Sequence, residues 1–172
     1  MKSILAAASV ILLAVTASPV AAALRVGDPA PNFSAQGAQD GMPIAIELGE
    51  LLKQGPVVLF FFPSAFTDDA ESREFAENID MFTAAGAQVV GVSRDSIETL
   101  AKYSRESCDG KFPVASADES LVNAFDVNDG ATFNTRTTYV ISPSGRIVFV
   151  HDANEIRNHV KHSLAFVEGM NN

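Results

Sequence analysis

Hydrophobic and polar positions fall along this chain in blocks whose period switches between two and nearly four. Val57 to Phe62 is an unbroken apolar, β-prone run held between Gly55-Pro56 and Pro63, the mark of a central strand buried on both faces. Phe75, Ile79 and Phe82 then recur at helical spacing until Gly86 stops the helix. Gln88 to Val92 predicts the next strand. Ser96 is placed to cap a helix carrying Ile97, Leu100 and Ala101, which ends before Gly110. Leu121, Val122 and Phe125 make a short helical face.

Beyond Gly130 the pattern changes to two strands, Thr137 to Ile141 and Arg146 to Val150, joined by Ser142-Pro143-Ser144-Gly145. Pro in the second place and Gly in the fourth favour a type I turn, hence a hairpin. Ile156, Val160, Leu164 and Val167 form one stripe of a closing helix. At the front, Pro29 to Gly41 is rich in turn residues, and a weak strand follows at Pro43 to Ile46. The order βαβ, a further helix and a ββα tail predicts an α/β sandwich, a mixed central sheet with helices on both faces.

The first residues follow different rules. Met1-Lys2 opens with a positive charge, Ile4 to Val15 is apolar, Ser18-Pro19 breaks the run, and Val20-Ala21-Ala22-Ala23 supplies small residues. This is the order of a secretory signal peptide over 1–23, cleaved after Ala23. The apolar run is shorter than the roughly 20 residues of a membrane span. One domain, 24–172, is then expected in the periplasm or outside the cell, with no membrane attachment. It is long enough to bury a core without disulfide staples.

Composition narrows the function. A formal charge of -9, or -10 once Lys2 is lost with the leader, repels phosphate backbones and excludes nucleic acid as a partner. The single cysteine, Cys108, permits no internal disulfide. Twelve Phe and no Trp put the aromatic content into burial. There is no C-x-x-C pair, no Gly-rich phosphate loop and no G-x-S-x-G elbow. His151, Asp152, Glu155, His159 and His162 cluster near the end of the chain, with His159 and His162 spaced to share a helix face. A solvated helix face is the expectation there, with no metal site and no cofactor.

Three stretches carry a resemblance that covers essentially all of 24–172: VGDPAPNF at 26–33, GPVVLFFFP at 55–63 and TRTTYVISPSGRIVF at 135–149. Together they resemble the peroxiredoxins of the alkyl hydroperoxide reductase and thiol-specific antioxidant group, which implies a thioredoxin-like fold. It also implies thiol-dependent reduction of a hydroperoxide, with a thiol reductant as second partner, and a homodimer. Relatives write their site P-x-x-x-T-x-x-C, with an arginine supplied by the later hairpin. A helix N-terminus and a guanidinium both stabilise a thiolate nucleophile. The threonine orients the peroxide, and the arginine stabilises charge as the O–O bond breaks.

Pro63 matches the proline, Thr67 the threonine and Arg136 the arginine. The cysteine has no counterpart. Counting forward from Pro63 and Thr67 puts Ala70 in its place, whereas counting back from Glu71, Phe75 and Phe82 puts Asp68 there. Neither residue is oxidised by peroxide at a useful rate. The local pattern Asp68 to Glu71 is that of a well-capped helix start. A sharper expectation has Asp68 or Asp69 take the thiolate's electrostatic place opposite Arg136. Cys108, flanked by Arg105 and Lys111 but also by Glu106 and Asp109, is either an idle buried thiol or a redox thiol in its own right. Three functions stay open at this level: an impaired peroxidase, a non-catalytic binding module of the cell envelope, and redox chemistry through Cys108.

Overall fold

The computed structural model describes residues 23–130 and 132–170, so the expected leader, apart from Ala23, lies outside the described residues. In chain order the elements are β1 (Ser34–Gln39), β2 (Met42–Glu47), α1 (Leu48–Leu52), β3 (Val57–Phe61), α2 (Ala70–Ala84), β4 (Gln88–Ser93), α3 (Ile97–Glu106), β5 (Val114–Ser116), α4 (Glu119–Ala124), β6 (Thr137–Ile141), β7 (Ile147–Asp152) and α5 (His159–Gly169). The strands form a seven-stranded sheet in the order β2-β1-β5-β4-β3-β6-β7. β3 runs parallel to β4, and β4 to β5; the other pairings are antiparallel. The expected α/β sandwich with a mixed sheet is therefore what forms.

β3 shows why. All of its residues are buried, and their side chains alternate between two cores. Val58, Phe60 and Phe62 enter a core with Phe75, Phe82, Leu100, Tyr103, Cys108 and Val160, covered by α2, α3 and α5. Val57, Leu59 and Phe61 enter a second core with Leu48, Leu52, Val122, Phe125 and Tyr139, on the side of α1 and α4. The first core is tight enough to demand a glycine. Phe60 stacks on Phe75 at 4.3 Å, and a Cβ on Gly91 of β4 would meet the Phe60 ring at 2.9 Å.

The structure adds elements at the front. The turn-rich Pro29 to Gly41 contains β1, whose order comes from its two neighbours rather than from apolar content. α1 and the three-residue β5 are likewise additions. β7 reaches Asp152, two residues past the expected end, and α5 begins at His159, leaving Ile156 outside it. The hairpin turn closes through a 2.8 Å bond from Gly145 N to Ser142 O.

Candidate active site

β3 delivers the chain to the motif, and one more ladder bond, Phe62 N to Val92 O at 3.0 Å, carries the strand to Pro63. The loop that follows is braced by Asp95, just past β4. Its Oδ2 accepts from Ala65 N at 2.8 Å and from Ser93 Oγ at 2.7 Å. Phe66 comes next in the left-handed region, φ 63°, where a bulky side chain is strained. Its ring stands edge-on to Tyr103 at 5.2 Å, with Lys102 Nζ 5.3 Å from its centre. Thr67 and Asp68 are exposed.

α2 starts at Ala70, and its N-cap is Asp69 rather than the expected Asp68. The Asp69 carboxylate makes no cap bond. Its Oδ2 accepts from Arg73 Nε at 3.0 Å, from Arg73 Nη2 at 2.8 Å and from Ser107 Oγ at 2.8 Å. The hydrogen bond from Arg73 is the main reason its carboxyl lies below the usual range. Ser72 Oγ in turn receives the Tyr103 hydroxyl at 2.8 Å. The first turn of α2 is thus tied to α3 at two points.

Arg136 arrives from the chain entering β6. Asn134 anchors that approach, its Nδ2 donating to Phe62 O at 3.4 Å and Val92 O at 3.3 Å. The guanidinium pairs with neither Asp68 nor Asp69. It donates from Nη1 to Glu71 Oε2 across a buried contact. The earlier expectation is corrected for a geometric reason: helical periodicity turns Glu71 inward, to 1 % exposure, while Asp69 is taken up by Arg73. Burial lifts the Glu71 carboxyl to about 7 against the opposing pull of Arg136.

The histidines extend this network. His159, expected on a solvated helix face, is wholly buried. Its Nε2 donates to Ala153 O at 2.9 Å, which leaves Nδ1 to accept from Thr138 Oγ1 at 2.8 Å. The same Nδ1 lies 3.5 Å from Glu71 Oε1. Burial lowers His159 to about 4. His151 packs 4.5 Å from His159 and 5.1 Å from the exposed His162, centre to centre. All three histidines of the chain therefore form a row from solvent to the Glu71–Arg136 pair. Among the described residues, no group of three or more His, Cys, Asp or Glu is arranged to hold a metal ion.

Cys108 sits elsewhere. It is fully buried in the first core, and desolvation, followed by the nearby Asp69 charge, pushes its thiol far up. The flanking cation Lys111 does not favour the thiolate, because its Nζ is spent on Ala76 O at 3.1 Å and on Asp109 at 3.3 Å. The structure thus places Pro63, Thr67 and Arg136 around the start of α2 and keeps the sulfur inside the core. Sequence reasoning missed Asp95, Asn134 and His159 as parts of the site. Only Glu71 had a signal, its resemblance, together with Phe75 and Phe82, to the glutamate and aromatics of the family helix. A cleft of about 730 Å³, lined by Ile46, Leu51, Gln88 and Phe112, involves none of Pro63, Thr67 or Arg136.

Known proteins resemble this chain over most of its length. Residues 26–150 match the AhpC/TSA family. Peroxiredoxin Bcp of Xanthomonas campestris is 29% identical over 119 residues, 63% of this chain and 74% of that protein. Peroxiredoxin Bcp of Escherichia coli K12 is 27% identical over 145 residues, 79% of this chain and 90% of that protein. The crystal structure of peroxidoxin BcpB from Mycobacterium tuberculosis superposes with a TM-score of 0.76 at 27% identity, covering 86% of this chain and 98% of that one. A match of that extent decides the grouping: this chain belongs to the AhpC/TSA family, the peroxiredoxins, on a thioredoxin-like fold.

Proposed function

We propose that this protein is an exported member of the antioxidant peroxiredoxin family, its leader removed after Ala23, in which the peroxide pocket persists without a nucleophile. Peroxide reduction of the family type needs a thiolate that attacks the O–O bond, is oxidised to sulfenic acid and releases the alcohol. One observation carries the reading: the only cysteine is fully buried with its thiol held protonated, the opposite of a reactive site. Ala70 or Asp68, whichever register aligns with the family's cysteine, cannot accept the oxygen atom.

The relatives' names supply the ligand class, a hydroperoxide, with a thiol reductant as co-substrate wherever turnover occurs. A homodimer is the expected assembly. A retained ligand site is supported by the ordering around the motif, where Asp95 braces the loop and Glu71 holds Arg136; the non-catalytic reading follows from the burial of Cys108. Incubation of the purified protein with hydrogen peroxide or tert-butyl hydroperoxide and dithiothreitol tests this. Consumption should match that of Cys108→Ser. Turnover in the wild type that disappears in Cys108→Ser would establish the redox reading instead.

A further inference from the structure

Arg136 holds more hydrogen-bonding capacity than the fold uses. Only 6% of it is exposed, yet among the described residues its one hydrogen bond runs from Nη1 to Glu71 Oε2. Nε and Nη2 have no protein acceptor, and neither is among the fully enclosed polar atoms that lack a partner, which are Glu71 Oε1, Asn134 Oδ1 and His151 Nε2. Those two nitrogens therefore reach the surface side by side, the edge with which a guanidinium grips a carboxylate in a bidentate pair. The surroundings favour an anion there. The side chain of Asp69 makes no cap bond on α2, so the positive end of that helix stays open. Asp69 is matched by Arg73, and Asp68 is exposed.

Glu71 is placed to give up its charge. Its Oε2 receives Arg136, whereas Oε1 is enclosed without a donor, a costly state for an ionised carboxylate. His159 Nδ1 lies 3.5 Å from that oxygen. Because His159 Nε2 donates to Ala153 O, Nδ1 carries no hydrogen and faces Oε1 as an acceptor. A proton on Oε1 thus meets an acceptor; without one the oxygen is unpaired. The other titratable neighbours do not oppose this. Glu74 and Asp68 disfavour the ionised form, Tyr103 of α3 keeps its phenol proton, and His151 and Asp152 of β7 act on His159.

We propose that Arg136 binds a small carboxylate anion and that Glu71 takes up one proton on Oε1 as the anion arrives. This rests on the reading above, a pocket that persists without a nucleophile, and it names the ligand class and the control of that pocket. The only bond formed is the O–H of Glu71: the ligand stays ionised, the proton comes from water or buffer, and the guanidinium keeps one counter-charge. An anion on Arg136 weakens the pull that holds Glu71 ionised, so its carboxyl, already lifted by burial to about 7, rises further in the complex. Proton uptake is then small below about pH 6 and approaches one near pH 8. Affinity is highest where Glu71 is already protonated and falls as pH rises through 7, by at most about tenfold per unit.

The test is titration calorimetry of the purified protein with acetate, at pH 6 and pH 8 and constant ionic strength, in two buffers that differ in ionisation enthalpy. The wild type should bind acetate up to about tenfold more tightly at pH 6 and take up close to one proton at pH 8. Glu71→Gln, which keeps an acceptor for Arg136 but has no proton to gain, should bind equally at both pH values with no uptake. Arg136→Met combined with Glu71→Met should not bind. Silence from the wild type at pH 6 overturns the anion site, and binding by the double variant overturns Arg136 as its seat. Wild-type binding without proton uptake overturns the coupling to Glu71, and that readout needs no variant to fold. The peroxide assay judges the pocket separately: turnover lost in Cys108→Ser overturns the reading beneath the proposal, whereas the acetate titration bears on the anion site alone.

Discussion

Arg136 and Glu71, 65 positions apart, form a buried ion pair under the first turn of α2, with side chains 7% and 2% exposed. Above about pH 7, where Glu71 is ionised, removing one partner strands the other charge away from water, so Arg136→Met should there cost about 3–5 kcal/mol, and less at lower pH where Glu71 takes up a proton. The paired change Arg136→Met with Glu71→Met should recover most of that loss, because two apolar groups leave nothing unpaired. Urea unfolding curves measure both. Equal losses in the single and double variants would mean that shape, and not charge, dominates here.

The Glu71 and His159 contributions oppose each other with pH. Glu71 is raised from 4.5 to about 7, so its stabilising share is whole below about 4.5 and fades as pH climbs through 7. His159 is lowered from 6.5 to about 4, so stability is whole above 6.5 and declines as pH falls through 4. Between these limits each slope is about 1.4 kcal/mol per pH unit and the two cancel. His159→Gln should therefore lose stability relative to the wild type as pH rises from about 4.5 to 6.5, and Glu71→Gln as it falls. Slopes of the same sign in both variants would refute the opposition.

Cys108 should behave as a sealed thiol. In the native protein its reaction with an aromatic disulfide reagent should run at least roughly a hundredfold slower than in guanidinium, because exposure requires opening of the core. A fast native reaction would move Cys108 to the surface and reopen redox chemistry there.

Asp95 holds the motif loop through Ala65 N and Ser93 Oγ. Asp95→Ala should destabilise by about 1–3 kcal/mol and speed hydrogen exchange at the Ala65 amide well beyond the change at β4. Unchanged exchange at Ala65 would show that the loop needs no brace.

These relationships were legible in the sequence to unequal degrees. β3 and the α2 stripe announce themselves, because Val57 to Phe62 and Phe75, Ile79 and Phe82 bury their side chains in a regular period. β1 does not: within SAQGAQ only Ala38 is a buried hydrophobe. Gly37 is there because a Cβ would meet the Ile46 side chain at 2.2 Å and Val114 O at 2.7 Å, a constraint set by neighbouring strands. The site follows the same division. Pro63, Thr67 and Arg136 stand out by their match to the motif of the resembled family, whereas the partner of Arg136 depends on which carboxylate the helix turns inward. Local capping rules point to Asp68; the helix starts one residue later and buries Glu71 instead. His159 looks like a surface residue until β7 and α5 close over it.

The complete enclosure of Cys108 also sets how this protein would age in an oxidising compartment. Each rare global unfolding event presents one thiol to whatever disulfides are present, and a molecule capped in that interval carries an added group for which a close-packed core has no room. It cannot regain the native arrangement. Conformational stability then governs chemical lifetime, and a mutation far from any sulfur would shorten that lifetime simply by making the excursions more frequent.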